Sequence, residues 1–471
     1  MNRQSIKRLT KYVLLGYFIY IFLTAVVMFT SPFQTKTLAT DIAPPWIDET
    51  EERVVFVEDR VEALKVRLDL MNHAEEKLDI SYYSLQGGDS VDLFLAQLIK
   101  TADRGVQVRF VVDGIAHNMR FDNRQIINTF TKHPNIELVF YEPLDLVRPW
   151  TWHNRLHDKV MIADESIALI GGRNIGDKYF APEGYDGASN DYDLLLFNAD
   201  GDATPIVDEM QIYFDYLWEH DYSVIKTDRQ LSEFGERGAD SMNDRLMGTH
   251  QDYLEMHPAL FSSSIDWVER SHEIERGFYV HNSVDRFRKE PSVWRQMLSL
   301  VANAETEVVM QSPYIIPSHK MRKELAEQEF NFERGMMLTN GMASTPNVLA
   351  HSGYRNYRNK LADSSFDLYE YQDSDQSLHM KALVIDRQIA AVGSFNLDAR
   401  SMNLNTESMV VLDSPSLAAE IMTTIDQKYM PDSIKVNGAE DGAHSIEDPP
   451  LLKRILVIIM QPLVRVIDFL L

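Results

Sequence analysis

The chain opens on four basic residues, Arg3, Lys7, Arg8 and Lys11, and then runs from Tyr12 to Phe29 for eighteen residues without a charge. A helix of that length just crosses the ~30 Å hydrocarbon layer of a bilayer. Asp41, Asp48, Glu49, Glu51 and Glu52 dominate the next stretch of chain. This asymmetry predicts a cytoplasmic N-terminus over 1–11, a membrane anchor over 12–30, a linker over 31–53 and a body on the far side of the membrane. A cleaved secretory signal is the alternative, with Thr37-Leu38-Ala39 as a small-residue cleavage site. At the other end, LLKRILVIIMQPLVRVIDFLL (451–471) spaces Arg454, Gln461, Arg465 and Asp468 onto one stripe of an otherwise apolar helix, with a kink expected at Pro462. Such a helix suits the lipid–water interface, or docks on the protein core. The Gly-, Pro- and acid-rich stretch before it, 433–450, reads as a flexible tether.

Between the ends the apolar pattern alternates strand and helix periods, and does so twice. LDISYYSL, DLFLAQLIKTA and VQVRFVVDG give strand, helix, strand; WRQMLSLVANA, TEVVMQSPYI and GMMLTN give helix, strand and, past a further helix, strand. Each run goes on to a short strand, IELVFYEP and FDLYEYQ. The expected organisation is a first half over 54–220, a connection over 221–290 and a second half over 291–432.

The duplication is sharpest in HDKVMIADESIALIGGRNIGD and HMKALVIDRQIAAVGSFNLDA. His157, Lys159 and Asp164 fit H-x-K-x-x-x-x-D, as do His379, Lys381 and Asp386; a Gly follows each His at +14, a small residue at +15 (Gly172, Ser394) and an Asn at +17 (Asn174, Asn396). In a strand the His and the Lys two residues on share a face, so an imidazole and an ammonium converge. The small residues admit close backbone approach and the Asn adds a neutral donor. Two such sets make a pocket for a tetrahedral oxyanion, with phosphate the obvious candidate. A metal is not expected, since the Lys would repel it and the chain has neither an H-E-x-x-H helix nor cysteine.

Composition narrows the setting. The 471 residues, 45% hydrophobic and 25% charged, are ordinary globular material. The absence of cysteine excludes disulfides, thiolate nucleophiles and an acylated cysteine. With 46 basic against 71 acidic residues the net charge is −25, which disfavours nucleic acid as a partner.

The paired motifs, with GGRN and GSFN, resemble the phospholipase D superfamily. NRLHDK, GGRNIGDKYF, HSGYRNYRNKL, SLHMKALVID and VGSFNLDARSMNLNTE resemble bacterial cardiolipin synthases, in particular the C-type branch, over about Val54 to Asp432. The resemblance implies a mixed α/β fold of two duplicated α-β-α sandwich halves about a pseudo-two-fold axis, here with an added N-terminal transmembrane helix. It implies that one His attacks phosphorus while the other protonates the leaving alcohol. His157 is then the nucleophile and His379 the acid/base, with Lys159, Lys381, Asn174 and Asn396 on the non-bridging oxygens. No cofactor is implied.

Each His also needs an orienting carboxylate. Glu407, 28 residues after His379, is the candidate there; the duplication aligns it with Asp191, and Asp193 lies on the same face. Asp164 and Asp386, at strand ends, are either catalytic or structural. Trp152 and Arg155 in RPWTWHNR suit a membrane-facing rim or plain loop packing. Arg355 and Arg358 would steer an anionic headgroup or form a solvated face, and Tyr314 would line the pocket or belong to the core. The implied substrates are phospholipids in a bacterial membrane: phosphatidylglycerol as acceptor and donor, or phosphatidylethanolamine as donor. No protein partner is implied. A hydrolytic phospholipase D, a nuclease and a non-catalytic scaffold are the rival readings.

Overall fold

The computed structural model describes residues 3–30, 43–48, 50–201, 203–261, 266–287, 289–437 and 449–471. The cleavage-site candidate at 37–39, most of the 31–53 linker and residues 438–448 of the acidic tether lie outside them.

The duplicated pattern folds into two nine-stranded sheets of one topology. In the first, the strands run in the order 223–225, 136–141, 107–113, 77–82, 159–163, 167–171, 193–198, 52–57, 272–273. In the second they run 433–435, 367–371, 334–340, 307–311, 382–385, 389–393, 408–413, 276–281, 47–48. Three strands of each sheet are parallel (77–82, 107–113 and 136–141; 307–311, 334–340 and 367–371) and the remaining pairings are antiparallel. The parallel strands are joined by helices such as Asp89–Asp103 and His319–Glu327, as a parallel pair requires.

Alternation along the strands makes three apolar layers. Leu78, Ile80, Val108, Phe110, Met161 and Leu169 face the outer helices of the first half. Val160, Ile162, Ala168 and Ile170 face the other way and share one layer with Ala382, Val384, Ala390 and Val392 of the second half, sealed by helices Pro205–Glu219 and Pro415–Thr424. Met310, Leu383, Ala391 and Met409 complete the outer layer of the second half.

The connection expected over 221–290 turns out to be structural. Ser223–Ile225 and His272–Glu273 close the two edges of the first sheet, helix Glu233–Met256 covers its outer face, and Arg276–His281 is an interior strand of the second sheet. Its dense charges (VERSHEIER) hide the short apolar run GFYV that makes that strand.

Among the described residues, Arg3–Phe29 is the one stretch of helix long and apolar enough to cross a membrane. Its C-terminal half is tied to the body: Tyr17 and Tyr20 hydroxyls donate to the carbonyls of Leu146 and Val147, and His153 Nε2 lies 2.6 Å from Ala25 O. The C-terminal helix, Leu451–Ile467, docks on helix Val348–Arg355 through the buried Val457 and Val464, and Tyr357 bonds Asp468. Leu452, Ile455, Ile459, Leu463 and Val466 stay exposed, so the helix is docked along one side and apolar along the side left open.

Candidate active site

The two motif strands deliver their histidines to a single cavity of about 660 Å³, lined by His157 and His379 with Asn174, Asn396, Tyr83, Tyr179, Tyr314, Arg155, Lys178, Asp398 and Arg400. The halves meet here by reciprocal pairing. Arg155–Leu156 run beside Asn405–Thr406, and Ser377–Leu378 run beside Ser189–Asn190. An exchange of the same segments in both directions is the mark of a two-fold contact.

That exchange crosses the carboxylates. Spacing along the chain assigns Glu407 to His379; in the structure its Oε2 lies 2.9 Å from Nδ1 of His157, in the other half. Asp191 Oδ2 takes Nδ1 of His379, at 2.6 Å. The duplication shows which residues are equivalent, but only the two-fold decides that each carboxylate is handed across. Asp193 is elsewhere, in a fully buried cluster with Arg67 and Arg173.

Both carboxylates are fully buried. Glu407 accepts from Ser394 Oγ (2.6 Å), Ser401 Oγ (2.7 Å) and Asn405 Nδ2 (3.0 Å). A side chain at Gly172 would place its Cβ 2.3 Å from the Asp191 carboxylate. Gly172 and Ser394, expected to touch substrate, therefore serve the carboxylates: one leaves room for Asp191 and the other bonds Glu407. Behind His157, the backbone N–H donates to Thr406 Oγ1 (3.1 Å), whose hydroxyl donates to Asp158 (2.6 Å).

Burial works against charge on every group in this site, and the balance is settled by neighbours. Burial opposes ionisation of Asp191, but Lys381 and His379 outweigh it and hold the carboxyl at about 2. Glu407 is likewise lowered: burial is outweighed by His157 and Lys159. The imidazoles go the other way. His157 is lowered by burial against the pull of Glu407, and His379 falls to about 3 through burial and Lys381. The resting site thus holds neutral imidazoles on ionised carboxylates. With Nδ1 donating to the carboxylate, Nε2 of His157 carries a free lone pair, while Nε2 of His379 lies 3.3 Å from Lys381 Nζ.

The family resemblance puts Lys159 and Lys381 on the substrate's oxygens. Their ammonium groups instead donate to the carbonyls of His157 and His379, with Lys381 Nζ also 2.9 Å from Nδ1 and 3.3 Å from Nε2 of the His379 ring, and burial lowers them to about 7 and about 8. Asn174 and Asn396 do line the cavity, and their side-chain oxygens have no partner among the described residues.

Asp164 and Asp386 do not reach the site. They follow their Lys by five residues, about 17 Å along a strand at ~3.3 Å per residue. Both sit in left-handed turns (φ 50° and 52°). Asp164 accepts the backbone N–H groups of Glu75, Glu76 and Lys77, and Asp386 those of Glu305, Thr306 and Glu307. They fasten the start of the neighbouring strand. Arg358 is buried in an ion pair with Glu370 (2.6 Å), and neither it nor Arg355 lines the cavity. Trp152 also lies off the cavity, with its indole N–H on Asp145 O (2.7 Å). Arg155 and Tyr314 do line it, Arg155 while paired with Asp113 at 3.3 Å.

Tyr83, Tyr179, Lys178 and Arg400 join the site without having stood out in the sequence. The tyrosine rings pack edge-on against the two histidines, Tyr83 on His157 (5.1 Å) and Tyr179 on His379 (5.4 Å). Counting four residues past each motif Asn finds Lys178 and Arg400.

A 432-residue stretch is 24% identical to an uncharacterized protein of Helicobacter pylori, covering 84% of each chain. Cardiolipin synthase C of Escherichia coli is 26% identical over 423 residues, 79% of this chain and 83% of that one. In fold, the phosphatidylserine synthase of Haemophilus influenzae superposes with a TM-score of 0.64 over 91% of this chain and 97% of its own, at 12% identity. The family model for the cardiolipin synthase, phospholipase D-like domain matches residues 68–218 and 297–429, one block in each half. Since those blocks take in both copies of the unit and more than half the chain, the protein belongs to that family.

Proposed function

We propose that the protein is a phosphatidyltransferase that moves a phosphatidyl group from one glycerophospholipid, through a phosphohistidine, to phosphatidylglycerol, giving cardiolipin. The observation that carries this reading is the reciprocal pair, two imidazoles in one cavity, each fixed at Nδ1 by a buried carboxylate of the other half.

Nε2 of His157 attacks phosphorus and Nε2 of His379 gives a proton to the departing alcohol. The anionic phosphodiester favours that proton, since a nearby opposite charge raises an imidazole's pKa. The amides of Asn174 and Asn396 turn toward the non-bridging oxygens, while Lys159 and Lys381 supply positive charge. In the second step His379 takes the proton of the incoming hydroxyl, whose oxygen displaces His157 from phosphorus.

Lipid access fits the surface. Leu144, Leu146 and Val147, beside the N-terminal helix, and Leu452, Ile455, Ile459, Leu463 and Val466 of the C-terminal helix are exposed apolar side chains. Phe29, Trp150, Leu404, Phe469 and Leu470 knit the two termini together, and Leu471 lines the cavity. We place the cavity mouth against the outer face of a bacterial cell membrane, with Arg3, Lys7, Arg8 and Lys11 inside. A reporter fused after Asp48 is expected to be active outside the cytoplasm; activity inside would reverse the orientation.

Expression in a host without cardiolipin, followed by lipid mass spectrometry, tests the reaction. Cardiolipin is the expected product. Phosphatidic acid without cardiolipin would make the protein a hydrolase instead.

A further inference from the structure

Twenty-one residues past each motif His stand Lys178 and Arg400, a matched pair of cations in the cavity wall. Lys178 sits beside His379 of the other half, and Arg400 beside Tyr83, the ring that covers His157. Lys178 adds its charge to the groups lowering His379, and its neighbour Tyr179 packs on that ring. Arg400 acts on Tyr83, which packs on His157.

The two differ in what they hold. Arg400 is engaged with the C-terminal segment: its backbone N–H donates to Leu471 O (2.7 Å) and its Nε to Leu470 O (2.9 Å). Lys178 is half-buried and has no hydrogen-bond or ion-pair acceptor among the described residues, only the Tyr179 ring 4.9 Å from Nζ. Burial lowers its pKa, and no carboxylate offsets that. An ammonium partly withdrawn from water without an anion is an unfavourable arrangement, which a bound anion relieves.

We propose that Lys178 binds the phosphate of the acceptor lipid, a second anion held beside the reacting one, and thereby selects an anionic alcohol over a neutral one. This rests on the phosphatidyl-transfer reading. Entering and leaving groups lie roughly in line across phosphorus, so with His157 attached the acceptor's hydroxyl approaches from the His379 side, where Lys178 stands. That hydroxyl gives its proton to His379 Nε2 and its oxygen bonds phosphorus. The P–N bond to His157 breaks and its electron pair returns to the imidazole. The acceptor's own phosphodiester changes no bonds; it lies at the far end of the headgroup glycerol, against Nζ of Lys178.

The test uses soluble acceptors with the full-length protein in detergent micelles. A phosphatidyl donor is offered equal concentrations of glycerol and glycerol 3-phosphate, and the two lipid products are counted by mass spectrometry. The unmodified protein is expected to favour glycerol 3-phosphate ~10-fold or more, the effect of one charge-assisted contact. Lys178→Gln should bring the ratio near one and Lys178→Arg should restore it. Equal use by the unmodified protein overturns the proposal without any variant, as does an unmoved ratio in Lys178→Gln, whether or not the total rate falls. Hydrolysis with neither acceptor used refutes the transfer reading, and this proposal with it.

Discussion

Replacing Glu407 by Gln is the most informative single change, because the surrounding bonds dictate how the amide must sit. Oε1 accepts from Ser401 and from Asn405 Nδ2, and Oε2 faces Ser394 and His157 Nδ1. The Asn405 amide N–H cannot face another N–H, so the introduced amide keeps its oxygen there and turns its NH2 toward His157. Ser394 can rotate to accept, but His157 Nδ1 must then become the acceptor, which moves the ring proton to Nε2 and removes the attacking lone pair. When the orienting carboxylate of a Ser-His-Asp triad becomes an amide, the wrong tautomer costs ~10⁴-fold. We expect a loss of ~10³–10⁴-fold here, ~4–5.5 kcal/mol at ~1.4 kcal/mol per tenfold. The assay is the burst of nitrophenolate from a p-nitrophenyl phosphodiester, whose leaving group needs no proton. Glu407→Gln should lose the burst. Asp191→Asn, which disturbs His379 instead, should keep it and turn over slowly. A full burst with slow turnover in Glu407→Gln would refute the crossed pairing or the assignment of His157 as nucleophile.

The buried Arg358–Glu370 pair makes a contrasting prediction: Arg358→Met should cost ~3–5 kcal/mol of stability, as for removal of one partner of a buried pair, with the KM of the folded protein unchanged. A raised KM at unchanged stability would return Arg358 to headgroup steering. His351 is buried on the helix that receives the C-terminal helix, and its pKa is held at about 3 by burial and then by Arg355. The unfolded chain binds this proton from about pH 6.5 downward and the folded one does not, so stability falls as pH drops below 6.5. Denaturant titrations of His351→Leu should show the unmodified protein losing stability relative to the variant by up to ~1.4 kcal/mol per pH unit between 6.5 and about 3. Parallel curves would show that His351 takes up its proton as readily in the folded chain as in the unfolded one.

The residues that were legible in the sequence are those whose meaning lies in local spacing. The two H-x-K sets, the following Asn residues and the alternating apolar strands are patterns within one half, and the topology repeats them faithfully. What could not be read depends on contacts between distant segments. The partner of Glu407 is 250 positions away and is set by the two-fold exchange. Gly172 and Ser394 look like ligand contacts until the carboxylates are seen beside them. Asp164 and Asp386 carry the spacing of the motif but face the turn at the far end of the strand. Arg358 reads as a surface charge because Glu370, which buries it, comes from a strand rather than from its own helix.

Trapping the covalent intermediate tests the central claim most directly. His379→Asn, incubated with a radiolabelled p-nitrophenyl phosphodiester, should release one equivalent of nitrophenolate and retain an acid-labile, base-stable label on the peptide carrying His157, while His157→Asn should retain none. Resolution of the label should be slowed by ~10²–10⁴-fold, the usual cost of a lost proton transfer. Label on His379 in the His157→Asn protein would reverse the roles of the two halves, and an intact burst with no phosphohistidine in either variant would contradict the covalent mechanism.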